Sequence, residues 1–241
     1  MSYSKVVIRV PDIKSSFQSY SSASVKEQNS STLRLIDSKY ANTIDKWSRA
    51  FDIPRGVMIA FIATESGGKS NAISSVGCCF GLMQVSPEGL WESGRKWSRE
   101  VSVPLPSDVV STIKSIVSDF FTSSASSPNS SQYSKIRNAL LTNTNFNIMA
   151  GTLMLRWMIE RFSNMLTGGQ LNKAIVAYNS GPYVKVLQVP GTSTTPNEIP
   201  VDSTALATNS RVPVESRNYL LKMLGQDGFM SLVYKDKVVQ G

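Results

Sequence analysis

Histidine is absent from all 241 residues. That absence removes histidine-ligated zinc hydrolases, Ser-His-Asp and Cys-His nucleophile systems, and histidine general bases. Cysteine is almost absent: Cys78 and Cys79 are the only two, and they are adjacent. A vicinal pair makes neither a long-range staple nor a metal site, and we read both as small buried apolar residues. No metal or cofactor is expected. Long apolar runs are missing as well. The longest, Val57 to Ala63, has seven residues, against the roughly 20 that a membrane span needs. The opening MSYSKVVIRVPDIKSS lacks the apolar core and cleavage site of a signal peptide, so ordinary secretion is not the expected route.

Acidic residues are outnumbered, 17 against 25 Lys+Arg, for a net charge of +8. The excess suits a polyanionic partner, nucleic acid or an acidic wall polymer, and its scatter along the chain suits plain solubility equally well. Any catalysis must rest on carboxylates, hydroxyls, amides and tyrosines.

What is present reads as helix. Residues 1–30 are rich in Ser, Lys and Gln with little periodicity, and are expected to form an extended or partly disordered arm with a short strand at Val6 to Val10. Leu33, Ile36, Tyr40, Ile44, Trp47 and Phe51 then recur at helical spacing, with Ser30 or Ser31 as the cap. Asp52 reads as the N-cap of the next helix, with Pro54 in its first turn. Ser107 reads as the cap of a helix over 107–120, and Thr122 to Ser134 as a surface loop. Asn145 to Leu166 reads as the longest helix, Leu171 to Asn179 as a short one, 190–210 as a polar loop, and Val214 to Leu224 as the terminal helix. The expected organisation is a mainly α domain over 31–228, with loop insertions near 121–135 and 190–210 and a tail over 229–241.

The stretch from Val57 to Val85 dominates this pattern. A helix apolar on every side belongs inside a domain. Here it delivers Glu65 to its end, where Gly67 and Gly68 stop it. A carboxylate held there has a raised pKa, through burial and through the negative end of the helix dipole. A pKa near ~6 makes about a tenth of the molecules competent acids at neutral pH, against about 0.2% for a free Glu.

Four short stretches accompany Glu65: ESGG at 65–68, GLMQV at 81–85, AYNSGP at 177–182 and PVESRNYL at 213–220. In this order and spacing they resemble the soluble-type lytic transglycosylases, the peptidoglycan-cleaving branch of the lysozyme superfamily. The resemblance covers residues 53–224 and implies a lysozyme-like, goose-lysozyme-type helical fold. It also implies roles. Glu65 matches the catalytic acid/base and Ser66 its companion. Ser74 matches a serine facing the reacting sugar, Met83 the cleft wall and Gln84 a substrate-binding amide. Tyr178 and Asn179 match the pair beside the carboxylate, and Glu215 and Tyr219 a segment closing the far side. The stretch GCCFG at 77–81 is one residue longer than the family's Gly-Ala-x-Gly.

A single acid suffices for such chemistry when the substrate assists. In the family's reaction the muramyl C6 hydroxyl attacks C1 and leaves a 1,6-anhydro sugar, with one carboxylate acting first as acid and then as base. The implied partner is the peptidoglycan glycan strand, and not nucleic acid. The polar arm and loops add a further expectation, a bacteriophage tail or baseplate component that opens the host wall and contacts other virion proteins through the arm. A goose-type hydrolase and a catalytically silent wall-binding or tail protein are the alternatives.

Overall fold

The structure, a computed structural model, describes residues 2–6, 23–162, 170–182, 210 and 212–239. Its regular elements among these residues are all helices. In chain order they are α1 (Ala23–Phe51), α2 (Arg55–Ser66), α3 (Pro87–Glu100), α4 (Ser107–Ile116), α5 (Ser130–Thr142), α6 (Thr144–Arg161), α7 (Gln170–Ser180), α8 (Val214–Leu224) and α9 (Phe229–Tyr234). Extended pairing among the described residues is limited to the isolated bridges Ile73↔Phe80 and Phe80↔Val85. The mainly helical class expected from the sequence is what the structure shows.

Helix α2 is the centre of the packing. Every residue from Gly56 to Thr64 is buried, because the helix has no polar face to turn outward. α1, α8 and α9 enclose it. Each Val, Ile, Met or Phe so covered contributes about 1.5–3 kcal/mol to the cohesion of the core. Its end is fixed from two directions. Gly67 adopts the left-handed conformation at φ 60 and returns its N–H to Ala63. The Tyr40 hydroxyl of α1 donates to the Gly68 carbonyl at 3.1 Å.

Helix α6 is the second buried rod, with Phe146 through Ile159 all covered. Gly151 lets it meet the chain after α2 closely: a Cβ there would lie 2.5 Å from that of Met83.

Several elements differ from the sequence reading, each for a local reason. α1 begins at Ala23, so Ser30 and Ser31 lie inside it and do not cap it. Lys26, Glu27 and Gln28 are good helix formers, and Lys26–Asp236 and Asn29–Asp227 contacts tie this turn to the end of the chain. Asp52 does not cap α2. It sits at φ 48 in the turn after α1, a conformation Asp tolerates, and Pro54 takes the N-cap position. Pro106 likewise precedes Ser107 as the cap of α4, which stops at Ile116.

The expected loop over 122–134 gives way to α5 from Ser130. Asn129 and Gln132 form a capping box there, and Ile136, Ala139 and Leu140 supply a buried stripe. α1, with 29 residues, is longer than α6, with 18. The expected tail over 229–241 contains α9, whose Met230, Leu232 and Val233 enter the core, so α8 is not the last helix. The strand expected from Val6 to Val10 lies, beyond Val6, outside the described residues, as does the 190–210 loop apart from Ser210.

The start of the chain is docked. The backbone and hydroxyl of Ser4 both donate to the Glu160 carboxylate, at 2.8 and 2.7 Å. Glu160 pairs with Arg156, whose guanidinium also donates to the Ser4 carbonyl. The ring of Tyr3 covers Arg156 at 4.5 Å and meets Trp97 edge-on. A buried ion pair is costly unless its remaining donors and acceptors are satisfied. Residues 3 and 4 help to do so, which docks this part of the expected arm against α6 without regular secondary structure.

Candidate active site

The site is built where α2, α7 and α8 meet the loop over 67–85. Glu65 occupies the last turn of α2, partly exposed. Its Oε1 accepts from the Tyr219 hydroxyl of α8 at 2.5 Å. One turn further along α8, Lys222 Nζ donates to the Thr64 carbonyl at 2.6 Å. Burial raises the Glu65 carboxyl to about 7, while the Tyr219 hydrogen bond and the Lys222 charge pull the other way. The C-terminal position on α2 acts in the same direction as burial. At neutral pH about half the molecules therefore carry the proton, more than the tenth expected. Burial, and next the Glu65 charge, hold the phenols of Tyr178 and Tyr219 well above their ordinary range. Both stay protonated, which makes Tyr219 a donor to Glu65.

Tyr178 does not touch Glu65 by hydrogen bond. Its hydroxyl donates to the Met83 carbonyl at 2.9 Å, and its ring packs edge-on against Phe61 of α2 at 5.1 Å. The side chain of Met83 is fully buried against Gly151, so it supports the wall from behind and does not line the cleft. Gln84 is also turned to structure: both protons of its amide go to backbone, to Ala72 at 3.1 Å and Gly81 at 2.8 Å. These bonds close the loop after α2, and the left-handed φ of 45 at Gln84 accompanies them. Its carbonyl oxygen meets no donor among the described residues.

Ser66 and Ser74 have local duties. The Ser66 hydroxyl donates to Ile62 and accepts from Gly68, capping the helix end. Ser74 Oγ accepts the N–H groups of Cys78 and Cys79, at 3.2 and 3.1 Å. The longer GCCFG stretch thus curls around Ser74 and occupies its oxygen. The cysteines are not buried as expected, because this curl lies on the surface: Cys78 is exposed and Cys79 partly so. Burial pushes the Cys79 thiol up to about 12, with hydrogen bonding and charge from Cys78 adding to it. It is not a thiolate at neutral pH, which leaves it unreactive.

Asn179 is exposed at the end of α7, and its Oδ1 accepts from the buried Ser216 of α8 at 2.8 Å. Glu215 is exposed in the first turn of α8, four residues before Tyr219 and so on the same side of the helix. Glu88 and Glu92, the next carboxylates after Glu65 in the chain, belong to α3, where Glu92 pairs with Lys96 at 2.7 Å.

Three contributors were not foreseen. Asn147 is buried in α6, accepts the Met83 N–H at 2.9 Å and donates to the carbonyls of Phe80 and Leu140 at 2.8 and 3.0 Å. It holds the GLMQ turn in place. A lone Asn inside the apolar run FNIMAG was the available signal. Lys222 and Ser216 were signalled only by their three-residue spacing from Tyr219. No cluster of three or more metal-ligating side chains occurs among the described residues, and no described helix is long and apolar enough to cross a membrane.

Comparison with known proteins bears on the family and the fold. The family model for the transglycosylase SLT domain matches residues 42–110 and 121–191. Among solved structures, an inactive mutant of the lytic transglycosylase Slt from Pseudomonas aeruginosa is similar at a TM-score of 0.50 and 20% identity. The match covers 83% of this chain and 24% of that one, so the chain spans about a quarter of that protein's length. A search of curated proteins returned no match. With the family model covering well over half of its residues, the chain belongs to the transglycosylase SLT domain family.

Proposed function

We propose that this chain is a peptidoglycan lytic transglycosylase that cleaves the β-1,4 bond between MurNAc and GlcNAc and leaves 1,6-anhydroMurNAc. The observation that carries this reading is Glu65 itself, a half-buried carboxyl poised near neutrality. The two side chains whose hydrogen bond or charge acts on it among the described residues are Tyr219 and Lys222. Neither is a second carboxylate of the kind paired-carboxylate glycosidases use.

In this reading Glu65 gives its proton to the glycosidic oxygen as the C1–O4 bond breaks. Tyr219 and Lys222 stabilise the carboxylate so formed. The C6 hydroxyl of the same muramyl residue then attacks C1, and Glu65 takes its proton as the C1–O6 bond forms. The proton returns to where it began and no water is consumed. Tethering the hydroxyl to its own ring removes most of the entropic cost of bringing in a nucleophile. In the same reading Asn179 and the carbonyl of Gln84 contact sugar polar groups.

Mass analysis of fragments released from purified peptidoglycan tests the reading. We expect ends lighter by one water than reducing ends. Ordinary reducing ends would make the protein a hydrolase of the goose-lysozyme kind, and intact wall with retained binding would make it a binding module. The setting we propose is a bacteriophage tail or baseplate acting on the host wall. The polar arm and the +8 charge, suited to an anionic wall, support it. Peptide mass mapping of purified particles against the cell lysate checks that assignment.

A further inference from the structure

Helix α8 touches the rest of the site at three-residue steps. Ser216 meets Asn179, Tyr219 meets Glu65 and Lys222 meets the Thr64 carbonyl. Three residues advance a helix by about 4.5 Å, so Ser216 and Tyr219 stand close to one turn apart on the same side of α8, one reaching Asn179 and the other Glu65. The first of these contacts has no role in the mechanism above.

Ser216 is fully buried, and its hydroxyl donates to Asn179 Oδ1 at 2.8 Å. Ser180 Oγ lies 2.7 Å from Ser216 Oγ and also bonds the Val176 carbonyl at 2.8 Å. A hydroxyl carries one proton. The Ser216 proton is committed to Asn179, so the Ser180–Ser216 contact uses the Ser180 proton, shared with Val176 as a three-centre bond. The two serines thus form a directed chain that ends on the amide oxygen. Fixing that oxygen fixes the amide plane and turns both Nδ2 protons outward, where they meet no acceptor among the described residues.

We propose that Ser216 is a positioning residue acting through Asn179, locking its amide so that Nδ2 donates to an acceptor oxygen of the bound sugar beside Glu65. The proposal rests on the peptidoglycan reading and sharpens it: the group recognised is an acceptor, a carbonyl or ring hydroxyl oxygen of an N-acetylhexosamine. An amide free to flip would present its oxygen half the time and lose this discrimination.

The test is calorimetric titration of chitohexaose, a soluble β-1,4-linked N-acetylglucosamine oligomer. The proteins are the wild type, Ser216→Ala, Asn179→Ala and the double variant, with thermal midpoints recorded beside each. A hydrogen bond of ordinary strength corresponds to roughly three- to tenfold in affinity, and Ser216→Ala should lose that much. In the Asn179→Ala background the same change should cost nothing further, because its effect passes through Asn179. Should Ser216→Ala not fold, Ser180→Ala interrupts the chain from the outer side of α7 and should show a smaller loss, again absent without Asn179. Unchanged affinity in the serine variants, or a loss that adds in full to that of Asn179→Ala, overturns the proposal alone. A wild-type protein that binds no chitohexaose overturns the peptidoglycan reading with it.

Discussion

Tyr219 donates to Glu65 across 154 residues of chain, at 2.5 Å. The bond joins the last helical turn of α2 to the middle of α8 and is the most direct hold on the carboxylate. A hydrogen bond to a charged acceptor is worth about 1.5–3 kcal/mol. Tyr219→Phe should therefore reduce kcat on peptidoglycan by about ten- to a hundredfold while leaving the fold intact. Turbidity clearance by the purified variant, with circular dichroism as the control, measures both. Wild-type kcat in Tyr219→Phe would remove the hydrogen bond from the mechanism.

The pH profile follows from the same carboxyl. Glu65 must hold its proton to begin the reaction and titrates at about 7. Activity should be level below that pH and fall about tenfold per unit above it. Lys222 favours the ionised form of Glu65, so Lys222→Met should move the falling limb to higher pH. The ratio of rates at pH 8 and pH 6 should rise. A limb that stays in place would show that the Lys222 charge does not reach Glu65.

Stability should carry the opposite mark. The carboxyl titrates at 4.5 in its ordinary state and at about 7 in the folded one, so between those values the unfolded chain gives up its proton first. Stability then falls as pH rises from about 4.5 to 7 and stays low above. The whole cost is at most about 3 kcal/mol, reduced by solvent reaching Glu65. Glu65→Gln removes it, and should be inactive yet more stable than the wild type at pH 8, with little difference at pH 4.5. Urea denaturation at the two pH values decides this, and equal gains at both would contradict the linkage.

Asn147 offers a test away from the chemistry. Replacing it with Ala leaves the Met83 N–H and the Leu140 carbonyl without their Asn147 partner, while the Phe80 carbonyl keeps the Val85 N–H at 3.1 Å. Each of the two stranded groups costs about 1–3 kcal/mol, so Asn147→Ala should destabilise by about 2–6 kcal/mol. Since Met83 also accepts from Tyr178, activity should fall even where the protein remains folded. Melting temperature and clearance rate, measured together at low temperature, separate the two effects.

The sequence made α2 legible because its apolar run has no polar face, and Glu65 legible because the run ends on it. The stripe in α1 and the extent of α8 were equally plain, since 3.6-residue periodicity does not depend on neighbours. Side-chain duties were less readable. Gln84, Ser66 and Ser74 look like substrate contacts in the sequence, and the structure turns their polar atoms to backbone groups a few residues away. Such bonds depend on how a loop curls, which composition does not specify. α5 was hidden by its Ser-rich start, although Asn129 and Gln132 stand at capping-box spacing. The docking of Ser4 joins positions 156 residues apart, and no local pattern announces it.

The three-residue rhythm of α8 has a consequence for how this site can change. Substituting Ser216, Tyr219 or Lys222 loses one contact and leaves the others standing. Deleting one residue between Ser216 and Lys222 turns everything beyond it by about 100° around the helix axis and would part the retained side chains from Asn179, Glu65 or Thr64 in one step. A substitution therefore costs the site one contact at a time, whereas a change of spacing costs several at once, as a worn tooth spoils a key less than a cut moved along the blade.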